Sequence, residues 1–132
     1  MSTRAVIRVF NEGKEVIANI YKHWDGYPSA LGVDLADFLS DFTLVNGLGA
    51  GQSSKVANGM GCLAAQLIAH LKTAPGDVYL LPLVRPGSMG EEYLYTVSRG
   101  EAGKLHLTVR EVGRRKILSE GTPETFLTFW RR

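Results

Sequence analysis

The sequence predicts an α+β fold: antiparallel sheet from an N-terminal hairpin and C-terminal strands, packed with two α-helices and a short C-terminal helix. Three observations predict it. Residues 3–10 and 15–24 each alternate in side-chain character with a period of two and are joined by Asn11-Glu12-Gly13, so they read as a hairpin. Residues 58–72 carry Met60, Leu63, Ala64, Leu67, Ile68 and Leu71 at helical spacing, which draws one apolar stripe along a helix. From Asp77 on, four short extended segments are separated by glycine-rich turns. With 132 residues, 45% of them hydrophobic, the chain reads as a single domain spanning 1–132, large enough for a proper core.

In the first strand Val6, Ile7 and Val9 are β-branched, and Arg4 and Arg8 share one face. In the second, Ile17, Asn19, Tyr21 and His23 take one face and Val16, Ala18, Ile20, Lys22 and Trp24 the other. Asp25-Gly26-Tyr27-Pro28 ends it, because Pro28 has no N–H to continue a ladder. A first helix follows over 29–42, with Leu31, Leu35, Phe38, Leu39 and Phe42 on one stripe. Asp34, Asp37 and Asp41 point elsewhere and read as a solvated face; carboxylates at this spacing on an exposed helix would hold a divalent metal only loosely. The stretch 46–55 is rich in small residues and reads either as a connector or as a loop that closes over a ligand. It is not a nucleotide P-loop, because Lys55 follows two serines and a helix, not a strand, comes before.

The central helix over 58–72 begins at Asn58-Gly59-Met60-Gly61, a capping residue followed by little bulk. A bare helix N-terminus offers unpaired N–H groups and a partial positive charge, which suits a phosphate, so Gly59 and Gly61 are candidate ligand contacts. Ala65 and Ala69 leave a second side of this helix small enough to be covered. Residues 73–77 are a stop signal. Extended segments follow over 77–84, 92–99, 104–112 and 116–119, with turns at 85–90 and 100–103. Thr122-Pro123-Glu124 then starts the short terminal helix, with a cap, a proline suited to the first turn, and an acid at the positive end.

The charge balance is 15 basic against 13 acidic side chains, net +2, which argues against a duplex nucleic-acid binder and leaves a small anion open. The C-terminal half leans basic, with Arg110, Arg114, Arg115, Lys116, Arg131 and Arg132. A single cysteine, Cys62, allows no disulfide within the chain and points to a reducing cytosol. No secretory signal pattern opens the chain, and no apolar run approaches the ~20 residues of a membrane span. His23, His70 and His106 show no metal-ligand spacing, Cys62 has no histidine partner at a recognisable spacing, and no nucleophile elbow occurs. The expectation is therefore a protein without catalytic residues, metal or cofactor. Ligand binding has more support. Tyr93, Tyr95 and Arg99 share a face of one strand, and His106 and Arg110 share a face of the next, with Arg114 and Arg115 in the turn beyond. Rings suit a base and guanidinium groups suit phosphate. The competing reading makes the tyrosines core edges and the arginines solubilising groups.

An ordered set of segments carries a resemblance. It comprises Ile20-Tyr-Lys-His-Trp-Asp-Gly-Tyr-Pro28, Leu31-Gly32 with Leu35-Ala36 and Phe38-Leu39, Val45-Asn-Gly47, Asn58-Gly-Met-Gly-Cys-Leu-Ala-Ala-Gln66, and Glu120-Gly-Thr-Pro-Glu124. Together they resemble a family of small phage and viral proteins, the first type of Thoeris anti-defence protein, over most of the chain. The resemblance implies a sponge that sequesters cyclic ADP-ribose isomers made by bacterial TIR-domain immune enzymes, in the cytoplasm of the infected host, without degrading them. It also implies assembly into dimers or hexamers and, for some members, a separate site for cyclic oligonucleotides. The assignment of Tyr93, Tyr95, Arg99, His106, Arg110, Arg114 and Arg115 rests on the chemistry of those side chains, not on the resemblance. The alternative is an inhibitor that occludes a host defence protein, with Trp24, Tyr27 and Trp130 as anchors and no small-molecule ligand.

Overall fold

A computed structural model describes residues 2–47 and 55–131. The chain is α+β, with its helices gathered on one face of a six-stranded sheet. Strands β1 (Ala5–Phe10) and β2 (Val16–Lys22) form the N-terminal hairpin. A π-helical turn at Pro28–Gly32 leads into α1 (Val33–Leu39), so the first helix is shorter and less regular than its apolar stripe suggests. β3 (Thr43–Val45) and β4 (Val56–Asn58) make a small parallel ladder, and α2 (Gly59–Leu71) follows directly. β5 (Val78–Leu80), β6 (Tyr93–Arg99), β7 (Leu105–Glu111), β8 (Lys116–Gly121) and α3 (Pro123–Trp130) complete the chain.

The sheet order is β5-β2-β1-β6-β7-β8. Every neighbouring pair is antiparallel except β1 with β6, which run parallel. The sheet is therefore mixed: after α1 and α2 the chain returns to the β2 edge as β5, and residues 81–92 then cross from β5 to lay β6 parallel beside β1. Ile7 and Val9 of β1, Ile20 of β2, Tyr95 and Val97 of β6, and Leu107 and Val109 of β7 meet the helices there. Met60, Leu63, Ala64, Leu67 and Leu71 of α2 are buried against them, as the stripe requires. Ala65 and Ala69 are exposed in this chain, and Asp34, Asp37 and Asp41 face solvent. The loop reading for 46–55 falls largely on residues outside the described ones.

The opposite face is covered by a strap, residues 81–92, running from β5 to β6. Val6, Tyr21 and Leu94 form a second small core beneath it, with Leu81, Met89 and Val112 packed alongside. Gly26 locks the end of the hairpin into the main body. A side-chain carbon there would lie 2.7 Å from Ala5 Cβ and 2.8 Å from the Thr3 carbonyl oxygen, so only glycine fits. Among the described residues no helix is long and apolar enough to cross a membrane.

Candidate functional site

Register decides which of the candidate ligand residues meet. Tyr95 lies opposite Val109 and Val97 opposite Leu107, so Tyr93, Tyr95, Val97 and Arg99 share the helix-covered face. Leu94 lies opposite Arg110 and Ser98 opposite His106, so Arg110 and His106 belong to the other face. The tyrosine rings and the β7 basic groups therefore do not converge. Tyr95 is fully buried, its hydroxyl donating to the Gly26 carbonyl at 2.7 Å, and burial pushes its phenol pKa far up. It is a core residue and cannot stack on a base. Tyr93 is half-buried; burial first, then Glu92 and Glu111, raise its pKa. His106 pairs with Glu120 at 3.4 Å, and the exposed Arg114 pairs with Glu111 at 3.1 Å.

Gly59, Gly61 and Arg99 do share a hollow of about 480 Å³ at the N-terminus of α2, but Glu12 shares it with them. The Glu12 carboxylate accepts the Met60 N–H at 2.8 Å. That bond chiefly, with Glu12's own backbone N–H and against slight desolvation, holds its pKa below the usual glutamate value; Arg99 adds a smaller lowering. The positive end of α2 is thus met by the protein's own anion, not left bare for a phosphate. Asn58 does not cap the helix with its side chain; its Oδ1 accepts the Gly47 N–H at 2.7 Å instead.

The arrangement that remains open to an anion lies on the other face. Arg85, Arg110 and Arg115 line a hollow of about 420 Å³ with Pro86, Val112 and Gly113. Arg110 is placed by β7, at a point where a bulge shifts the β7–β8 register. Arg115 comes from the turn that follows, closed by its N–H to the Val112 carbonyl at 3.2 Å. Its φ is +54°, a left-handed backbone that arginine adopts at a cost of about 1 kcal/mol or more. Arg85 arrives from the strap. Among the described residues none of these three guanidiniums is in an ion pair. Three like charges around one apolar-floored hollow are complementary to a phosphate-bearing ligand. Arg85 was not a candidate from the sequence, where it is only the first residue of a turn.

A third hollow, about 460 Å³, is aromatic, lined by Tyr21, His23, Trp24, Asp77, Tyr79 and Met89 among others. Trp24 and Tyr79 are about half exposed there, and the Tyr21 hydroxyl bonds His23 Nδ1 at 2.8 Å. Asp77 ties it together through Lys22 Nζ at 2.5 Å and the Trp24 N–H at 3.0 Å. Trp130 is half-buried, its indole N–H donating to Ser119 at 2.8 Å, so it is a packing residue and not a surface anchor. No group of three or more histidine, cysteine, aspartate or glutamate side chains among the described residues could hold a metal ion. No family model, curated protein or solved structure matches the chain.

Proposed function

We propose that the protein binds a phosphate-bearing small molecule in the Arg85–Arg110–Arg115 hollow and holds it unchanged. The convergence of three guanidiniums with no ion-pair partner among the described residues is the observation that carries this reading. Guanidinium, proline, valine and glycine make a lining that attracts phosphate and offers no nucleophile. Such a site suits complementarity to a ground state, which is what sequestration requires. The sequence resemblance narrows the ligand to a cyclic ADP-ribose-type signal, held by an oligomer in the cytoplasm of an infected bacterium so that a TIR-dependent defence is never triggered.

Calorimetry with cyclic ADP-ribose isomers tests this. Arg85→Ala and Arg110→Ala should each weaken binding about tenfold or more, since a charge-assisted phosphate contact contributes roughly 1.5–3 kcal/mol. The ligand released on heating should be chemically unaltered. Equal affinity in both variants, or recovery of a product, removes the reading. A second reading is favoured by one observation: Trp24, Tyr79 and Leu80 are exposed large apolar side chains at or beside the β5 edge, as an anchor for a host protein would be, and Tyr27 is exposed as well.

A further inference from the structure

The arginine hollow depends on where the strap delivers Arg85, and the strap contains a group that the ligand reading does not use. Glu91 is 4% exposed, one of two buried polar or charged side chains among the described residues, and the one with a carboxylate. A carboxylate leaves water only at a high cost unless donors replace the water. Glu91 finds them inside its own turn: Oε2 accepts the Gly87 N–H at 2.9 Å and Oε1 accepts the Met89 N–H at 3.1 Å. The turn is otherwise closed by Ser88 N–H to the Arg85 carbonyl at 3.1 Å and Gly90 N–H to the Gly87 carbonyl at 3.0 Å. Gly87 and Gly90 take φ values of +88° and +71°, so glycines supply the backbone that Glu91 then fixes.

Both flanks of this turn are clamped to the sheet. The Arg8 guanidinium donates to the Val84 carbonyl, immediately before Arg85. Arg4 donates to the Met89 carbonyl at 3.4 Å, and Glu92 N–H reaches the Arg4 carbonyl at 2.9 Å. Gly87 also approaches Val112 closely enough that an added side-chain carbon would sit 3.3 Å from its methyl. Val112 is part of the hollow's floor. A turn resting on that floor, held from inside by one carboxylate, has its first residue aimed at the hollow.

We propose that Glu91 is a positioning residue of the anion site, pre-forming the 85–90 turn so that the Arg85 backbone is fixed beside the hollow that Arg110 and Arg115 line before any ligand arrives. This rests on the ligand reading above for its purpose, but the ordering is a property of the free protein. Pre-organisation removes an ordering cost that binding would otherwise meet.

The test is Glu91→Gln, which keeps the shape and loses the charge. In the ligand-free protein, NMR relaxation of the backbone N–H groups of Arg85, Gly87 and Met89 should report an ordered turn in the wild type and a mobile one in the variant. Unchanged order overturns the proposal whatever binds. With ADP-ribose as the calorimetric probe, Glu91→Gln should weaken binding about tenfold in the wild-type background. In an Arg85→Ala background it should change binding less than twofold, because its effect passes through Arg85. A variant that only lowers the melting temperature, or weakens binding equally in both backgrounds, makes Glu91 merely structural. Wild-type protein that ignores ADP-ribose and every cyclic isomer sinks the ligand reading while leaving the NMR result to decide on Glu91. If Glu91→Gln does not fold, Glu91→Asp gives the same readouts with a shorter reach.

Discussion

Glu12 shows how one side chain can settle what a helix terminus does. Its carboxylate on the α2 N–H of Met60 supplies the negative charge that a phosphate would have supplied. The sign of its pH effect follows from its lowered pKa. The stabilisation is complete above the ordinary glutamate value and is lost as pH falls through the lower native one. Melting temperature should therefore fall with acidification below about pH 4.5 more steeply in the wild type than in Glu12→Gln, measured from pH 7 to 3. Parallel curves would show that the contact contributes nothing. The contact spans 48 residues of sequence, from a turn glutamate to a helix start, and no periodicity reports such a meeting. Period two assigned the faces of β6 and β7 correctly one strand at a time, with Tyr93, Tyr95 and Arg99 together and His106 and Arg110 together. What it does not contain is which face of one strand aligns with which face of the next. A register of Tyr95 on Val109 puts the rings inside and Arg110 outside.

Among the elements, those with long, strongly patterned stretches were legible: the hairpin, α2 and α3 stand where the apolar stripes and the Thr122-Pro123 start put them. β3 and β4 were not, because three residues are too few to display alternation, and their ladder depends on a partner across a loop. The parallel β1–β6 pairing was hidden for a related reason: local hairpins dominate the sequence signal, and a crossover leaves no local mark. α1 stops early, at Leu39, and its end is fastened by the residue that immediately precedes β4. Lys55 Nζ donates to the Phe38 and Ser40 carbonyls, the latter at 3.1 Å, and lies 5.3 and 5.2 Å from the ring centres of Phe38 and Phe42. A cation there meets both the negative helix end and two ring faces. Lys55→Met keeps the stem and removes the charge, so it should cost about 1–2 kcal/mol. In urea this appears as a lower midpoint with an unchanged slope. No midpoint shift would mean that water serves those carbonyls equally well.

For the whole molecule, one row of the sheet links the two hollows on the strap-covered face. Tyr79, Tyr21, Val6, Leu94 and Arg110 are successive register partners across β5, β2, β1, β6 and β7. Three strand spacings separate Tyr21 from Arg110, roughly 14 Å at about 4.8 Å each. Between them Val6 and Leu94 are buried, with Leu81, Met89 and Val112 packed against this small core. The aromatic end and the arginine end therefore share a face but not a cavity, and substitutions in the two should act independently. If the protein is a nucleotide sponge, Trp24→Ala should leave the affinity for a cyclic ADP-ribose isomer within about twofold, while Arg110→Ala lowers it about tenfold or more and the double variant matches Arg110→Ala alone. Raising salt from 50 to 200 mM should weaken binding in the wild type and weaken it less in Arg110→Ala, because fewer charges then meet the phosphates. If it instead occludes a host protein, the dependence reverses: Trp24→Ala abolishes inhibition, and Arg110→Ala leaves it intact. Calorimetry paired with an inhibition assay on the same variants separates these outcomes, since Trp24 and Arg110 each line only one of the two hollows.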